Sequence, residues 1–90
     1  MQLDQNRPNP FNGQTSIRFG VARRGNAELV IYNLAGQRVA TLLQAYREAG
    51  DYAVIWDGRG DDGVALASGV YVYRLQSGSQ VMARKLLLLR

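Results

Sequence analysis

The side chains best suited to chemistry are three aspartates in one glycine-rich stretch, residues 57–63. Asp57, Asp61 and Asp62 supply carboxylate oxygens, which are the ligands that calcium prefers, so a calcium site is one alternative here. Calcium loops of the D-x-[DN]-x-[DN]-G type need an acidic or amide residue at the third position, which Arg59 occupies. We therefore expect no bound metal, and we favour a turn in which Asp57 accepts backbone amide hydrogen bonds.

Catalysis has little support in the composition. The chain contains no histidine and no cysteine, which removes the usual zinc and copper ligands, thiol nucleophiles and Ser-His-Asp triads. The paired carboxylates lie in a glycine-rich loop, and a nucleophile–base pair would have to combine a serine with Lys85, the single lysine. We predict that the chain is not an enzyme and uses no cofactor.

Two further binding motifs have simpler structural explanations. Arg59-Gly60-Asp61 spells an integrin-binding tripeptide, but three-residue matches arise by chance in glycine-rich turns. Trp56 could stack on a sugar ring, yet it alternates with Tyr52 and Val54 and so is expected in the core. Each buried aromatic ring of this kind removes roughly 150–250 Å² from water.

The last seven residues, 84–90, join a basic pair to four leucines and a final arginine. In a strand, Leu86 and Leu88 point to one face, whereas Leu87 and Leu89 point to the other. A sheet with one solvated face buries only one of these pairs. This segment is therefore either a strand buried on both sides or a terminal address that a partner binds.

Length and charge limit the remaining classes. Ninety residues, of which 47% are hydrophobic and 20% charged, predict one globular domain over residues 1–90. Residues 1–7 are expected to be a linker from a longer protein. The net charge of +4 is spread over scattered arginines, which argues against nucleic acid and leaves an anionic lipid headgroup or polysaccharide as a partner. No signal peptide is recognised, and no apolar run approaches the ~20 residues of a membrane span.

The hydrophobic pattern is that of short strands separated by turns. We expect strands at 15–21, 27–32, 37–43, 51–57, 69–77 and 80–89. Residues 44–50 are expected to form a longer connection in which Tyr46 covers the core. Six or seven strands without helical periodicity predict an all-β fold, an immunoglobulin-like antiparallel β-sandwich. Its expected core is Ile17, Phe19, Leu29, Ile31, Val39, Val54, Trp56, Tyr71, Tyr73 and Leu75.

Five sequence blocks occur in a characteristic order. They are Asn9-Pro10-Phe11-Asn12 before Thr15–Phe19, Ile31–Ala40 with Asn33-Leu34-Ala35-Gly36, Trp56-Asp57-Gly58-Arg59 with Asp62-Gly63, Ala67–Leu75, and Arg84-Lys85 before the leucines. From Pro8 to Arg90 the series resembles the C-terminal sorting domain of type IX secretion cargo proteins. It is also similar to the related Ig-like domain of flagellar hook-capping proteins. Gly13 departs from the first block, where many relatives have a proline.

The resemblance implies a non-catalytic secretion signal and cell-surface attachment domain. Its partners would be the type IX secretion machinery and a covalently linked N-terminal cargo, which is exported through the periplasm to the cell surface or medium. The residues expected to contact the translocon are Arg84, Lys85, Leu86, Leu87, Leu88 and Leu89. The structural motif residues are Pro10, Phe11, Asn12, Gly36, Trp56, Asp57, Gly58, Gly69 and Tyr71. A structural Ig-like spacer or assembly domain and a polysaccharide-binding module are the alternatives.

The motif residues have physical explanations of their own. The two prolines of the first block fix φ and lack amide hydrogens, so this stretch should be extended at a sheet edge, with Phe11 closing the end of the core. Gly36 is placed for a positive φ in a turn. Gly69 opens a strand where another backbone could approach closely.

Overall fold

The chain folds into seven strands and no helix. The computed structural model describes residues 1–90. The strands are β1 (Gln2–Leu3), β2 (Thr15–Val21), β3 (Gly25–Tyr32), β4 (Arg38–Arg47), β5 (Gly50–Trp56), β6 (Gly69–Ser77) and β7 (Gln80–Leu88). They form a three-stranded sheet in the order β1-β2-β5 and a four-stranded sheet in the order β4-β3-β6-β7, both antiparallel. The predicted immunoglobulin-like sandwich is confirmed.

The core lies between the sheets and follows the period-two pattern of the strands. Ile17 and Phe19 of β2 and Tyr73 and Leu75 of β6 are buried in one hydrophobic cluster. Val39 and Val54, which were expected in the core, are only half-buried and pack against its margin. Val39 lies on β4 and Val54 lies on β5, and each of these strands is at the edge of its sheet. A side chain on an edge strand has a neighbouring strand on one side only, so it is less covered.

Strand β4 is longer than the sequence predicts and includes most of the expected connection at 44–50. Its pairing with β3 continues to Arg47, opposite Gly25. A register shift beside Leu29 leaves an extra residue in β4, as in a β-bulge. Beyond it Leu43 is buried, while Tyr46 is 52% exposed on the outer face. The expectation that Tyr46 covers the core is therefore wrong.

Residues 1–7 are packed on the sandwich, which corrects the expected linker. Leu3 is 1% exposed and belongs to β1, which pairs with β2. Asn6 is equally buried, and Arg7 forms a bridge with Ser16. A single leucine among polar residues has no periodicity, so no local pattern indicated that this segment would pair with a sheet edge.

Candidate functional site

The terminal leucines divide between the core and the surface. Leu86 and Leu88 are 2% and 0% exposed, whereas Leu87 is half-buried and Leu89 is 47% exposed. Because the first pair supplies core packing on the inner face, only the second pair reaches the outer surface of the sandwich. This is the division that strand alternation predicts for a sheet with one solvated face.

A small basic and apolar surface forms around this second pair. On β6, Val70 lies opposite Leu87 and Val72 lies opposite Lys85. Val70 is 38% exposed and Lys85 is exposed. We call Val70, Val72, Lys85, Leu87 and Leu89 the terminal surface. It combines hydrocarbon side chains with one positive charge.

The structure separates the two residues of the basic pair. Lys85 belongs to the terminal surface, but Arg84 leans the other way, towards β1. The Arg84 Nε donates a 2.6 Å hydrogen bond to the backbone oxygen of Leu3. Arg84 therefore links the two sheets at their open side, and the pair does not act as one cluster of charge.

We call the segment Gln5–Phe11 the N-terminal strap. It connects the two sheets, because Arg7 pairs with Ser16 of β2 while other strap residues bond to the outer edge of β7. Phe11 N donates to Leu87 O at 3.0 Å, and Leu89 N donates to Phe11 O at 2.9 Å. Asn9 Oδ1 accepts a 3.0 Å bond from Leu87 N, and Gln5 Nε2 donates to Lys85 O at 2.8 Å. The proline-containing segment lies at an edge as expected, where missing amide hydrogens are tolerated. It is bent at residues 8–10, so the expectation that it is extended is wrong. Its two X–Pro bonds are cis.

Buried polar groups hold the strap in place. The Tyr73 hydroxyl donates to Asp4 O at 2.6 Å and accepts from Asn6 N at 2.9 Å. Burial raises the pKa of Tyr73 above its ordinary value. Asn6 Nδ2 donates to Thr15 Oγ1 at 3.1 Å, and Thr15 Oγ1 donates to Pro8 O at 2.8 Å. Tyr73 was expected in the core, but the burial of Asn6 and Thr15 was not predicted, since isolated polar residues carry no signal that they will be buried.

Three of the motif aromatics meet at one end of the sandwich. The Trp56 ring lies 5.6 Å from the Phe11 ring and 5.9 Å from the Tyr71 ring, centroid to centroid. Trp56 is 2% exposed, and its Nε1 donates to Arg59 O at 2.9 Å. The ring is therefore a core residue with a satisfied polar atom, and it offers no face to a sugar.

The glycine positions differ in what they require. Gly58 is buried with φ +74°, and the Arg90 Nη2 donates to its carbonyl oxygen at 2.6 Å. Gly36 has φ +80° in a turn where Asn33 Oδ1 accepts two backbone amides. No atom lies within 4 Å of a Cβ built at Gly69, so the close backbone approach expected there is not observed. Pro10 and Asn12 lie exposed at the surface.

Each aspartate of the 57–63 loop accepts a different backbone amide. Asp57 Oδ1 accepts from Arg59 N at 3.1 Å, which is the predicted turn, and Asp62 Oδ1 accepts from Val64 N at 3.0 Å. Asp61 Oδ1 accepts from Thr41 N at 2.8 Å and ties the loop to β4. The three carboxylates do not form a group that could hold a metal ion. The fold contains strands only, so it has no membrane-spanning helix.

Residues 4–80 match the profile described as the FlgD Ig-like domain. That match covers well over half of the chain. The chain belongs to the FlgD Ig-like domain family. No curated protein matches the sequence significantly.

One solved structure resembles this FlgD Ig-like domain over nearly its whole length. It is PorZ of Porphyromonas gingivalis, described as an essential bacterial surface component of the type-IX secretion system. The likeness has a TM-score of 0.62 and 21% sequence identity, and it covers 96% of this chain but 11% of that one. At this identity the likeness shows a shared fold, and a FlgD Ig-like domain of this size corresponds to a small part of the larger protein.

Proposed function

We propose that this domain is a non-catalytic sorting and surface-attachment module, which directs a linked cargo through the type IX outer-membrane translocon. The five sequence blocks support this role, as does a structural neighbour that is itself described as a type-IX surface component. The partners would be the type IX machinery and a covalently attached N-terminal cargo. The location would be the cell surface or medium, reached through the periplasm.

The observation that carries the proposal is that β7 and the residue after it supply both buried core side chains and an exposed surface. Leu86 and Leu88 close the core, while Lys85, Leu87 and Leu89 remain at the surface within a few residues of them. One strand can therefore complete the fold and present a recognition surface at the same time. A translocon that reads the terminal surface would select only domains whose last strand has docked.

A structural spacer or assembly domain is the second candidate, and the position of the terminal strands favours it. Gln2 pairs with Gly20 near the end of β2, whereas Leu88 pairs with Gly69 at the start of β6, at the opposite end of the sandwich. The longest dimension of the molecule is 36 Å. A domain with this geometry can be inserted in line between other domains without contacting a translocon.

Polysaccharide binding is the weakest of the three alternatives. Such modules usually present exposed aromatic rings that stack on sugars. Tyr46 is the one aromatic side chain here that is more than half exposed. An anionic polysaccharide therefore stays a minor proposal that rests on the net charge of +4.

An export assay separates sorting from spacing. A reporter fused to the N-terminus of this domain should reach the surface of a host that has type IX machinery. A variant with Lys85→Gln, Leu87→Thr and Leu89→Gln should be retained in the periplasm. Its stability should change little, because exposed substitutions usually stay within about 0.5 kcal/mol and only Leu87 is partly buried.

The matched control alters the same kinds of side chain on the other sheet. Arg18 and Ile55 are exposed on the outer face of the three-stranded sheet, and Arg18→Gln with Ile55→Gln should leave export intact. Thermal unfolding of both purified variants verifies that they are folded. Normal export of a folded terminal-surface variant would reject sorting through β7 and leave the spacer function in its place.

A further inference from the structure

The outer edge of β7 is covered along only part of its length. The strap bonds to the backbone of Lys85, Leu87 and Leu89. Upstream, β1 lies beside β7, where Arg84 contacts Leu3, but its backbone pairs with β2 in the other sheet. The backbone of β7 from Gln80 to Arg84 therefore has no hydrogen-bonded strand on its outer side.

The direction of the free backbone groups follows from the alternation of an antiparallel ladder. Leu87 N points away from β6, since it bonds to Asn9. Every second residue on the same strand points the same way, so the amides of Ala83 and Val81, four and six positions earlier, also face outwards. Neither of these amides has a hydrogen-bond partner outside the sheet in the domain. Val81 is 51% exposed and Ala83 is exposed, so both can be reached.

The charges beside this edge indicate what could bind there. β7 contains Arg84 and Lys85 and no acidic residue, and both basic side chains are exposed. Like charges oppose pairing of this edge with a second copy of itself, which is a common protection of exposed strands. The same charges favour an extended segment with acidic side chains.

We propose that the translocon recognises this domain by adding an extended, acidic strand to the Gln80–Arg84 edge of β7. The inference rests on the sorting function proposed above and specifies its chemistry. In strand addition, main-chain hydrogen bonds supply affinity and alternate side chains supply specificity. The strap shows that β7 accepts such a segment, because Phe11 forms a parallel bridge with Leu88. The incoming strand would occupy the length of edge that the strap leaves free.

Proline at Ala83 tests the proposal, because it removes one outward amide that the fold does not use. Proline is tolerated on edge strands when its nitrogen faces solvent, so Ala83→Pro should remain folded. We expect export of the fused reporter to fall at least tenfold. Strand addition is rejected if the folded Ala83→Pro protein is exported normally. If the terminal-surface variant described above is still retained in that case, the sorting function itself stands.

Ala53→Pro is the matched control on the other exposed edge. Ala53 lies on β5 opposite Arg18, and Arg18 O accepts its bond from Asp4 on the far side of β2. The Ala53 amide therefore points outwards as well, but its strand contains Asp51 and no basic residue. Normal export of this variant is expected. A loss equal to that of Ala83→Pro would show that proline in any edge strand prevents export, and would overturn the proposal.

Hydrogen exchange provides a second measurement that does not depend on a proline variant. The unmodified cargo can be isolated on the detergent-solubilised translocon, and exchange over residues 80–84 compared with the free domain. Slower exchange is expected in the complex, and unchanged exchange would contradict strand addition. The purified domain should also sediment as a monomer. A dimer that Ala83→Pro dissociates would assign the edge to a second copy instead.

Discussion

Tyr73 donates a 2.6 Å hydrogen bond from its hydroxyl group to the backbone oxygen of Asp4. Asp4 directly follows β1 of the three-stranded sheet, whereas Tyr73 lies on β6 of the four-stranded sheet. The two residues are 69 positions apart in the chain. The same hydroxyl accepts a bond from Asn6 N. One core side chain therefore anchors the N-terminal strap and, through it, the covered part of the β7 edge.

Tyr73→Phe should destabilise the domain through its polar atom alone. The substitution keeps the ring but leaves Asp4 O and Asn6 N without a partner, one of them on a buried residue. Leaving a buried donor or acceptor unsatisfied costs about 1–3 kcal/mol. Urea denaturation measures the loss. Tyr32→Phe is the control, since Tyr32 is half-buried and contacts Arg74 through the face of its ring, which phenylalanine keeps. It should change the midpoint very little.

Stability should decrease at high pH because of the same residue. The pKa of Tyr73 is raised from its ordinary value of 10.0 by burial, so the unfolded chain releases this proton before the folded one does. The folded state then binds more protons, and the free energy of unfolding decreases as the pH rises above about 10. Urea midpoints between pH 8 and 11 test this. The decrease should be smaller in Tyr73→Phe, and an identical decrease would assign it to other groups.

Trp56→Ala should be among the most damaging single substitutions. Trp56 is 2% exposed and contacts the Phe11 and Tyr71 rings, so its removal leaves a large cavity. Such truncations cost about 3–5 kcal/mol, a large part of the stability of a small domain. Thermal and urea unfolding measure the effect. If the melting temperature of Trp56→Ala were unchanged, the ring would have to lie outside the core in solution.

Gly58→Ala should destabilise the domain more than Gly36→Ala. Both glycines have positive φ, and a side chain in the left-handed region costs roughly 1–2 kcal/mol. At Gly58 the added Cβ would also lie 2.7 Å from Arg90 Nη2 and 3.3 Å from Leu88 Cδ1, whereas nothing lies within 4 Å at Gly36. The difference between the two variants in free energy of unfolding, measured by urea denaturation, gives the cost of the steric contact at Gly58. Equal losses would mean that Arg90 moves aside without cost.

The strands and most of the core could be predicted because alternation is a local property. Along β2 and β6 the apolar residues recur at every second position, and a period of two permits only one face to be buried. The division of the terminal leucines followed from the same rule. The strand limits of β4 could not be predicted, since its bulge shifts the pattern by one residue and its polar end reads as a loop.

The sequence by itself determined the fold class, the family blocks and the residue types that exclude the common catalytic groups. Only the tertiary structure decided which groups share a surface. It placed Lys85 and Arg84 on different sides of β7 and brought the strap from the other end of the chain onto that strand. It also left the outer edge of Gln80–Arg84 without a hydrogen-bonded strand. Periodicity reports which face a side chain points to, whereas contacts between distant segments depend on how the sheets pack. No local pattern encodes that packing.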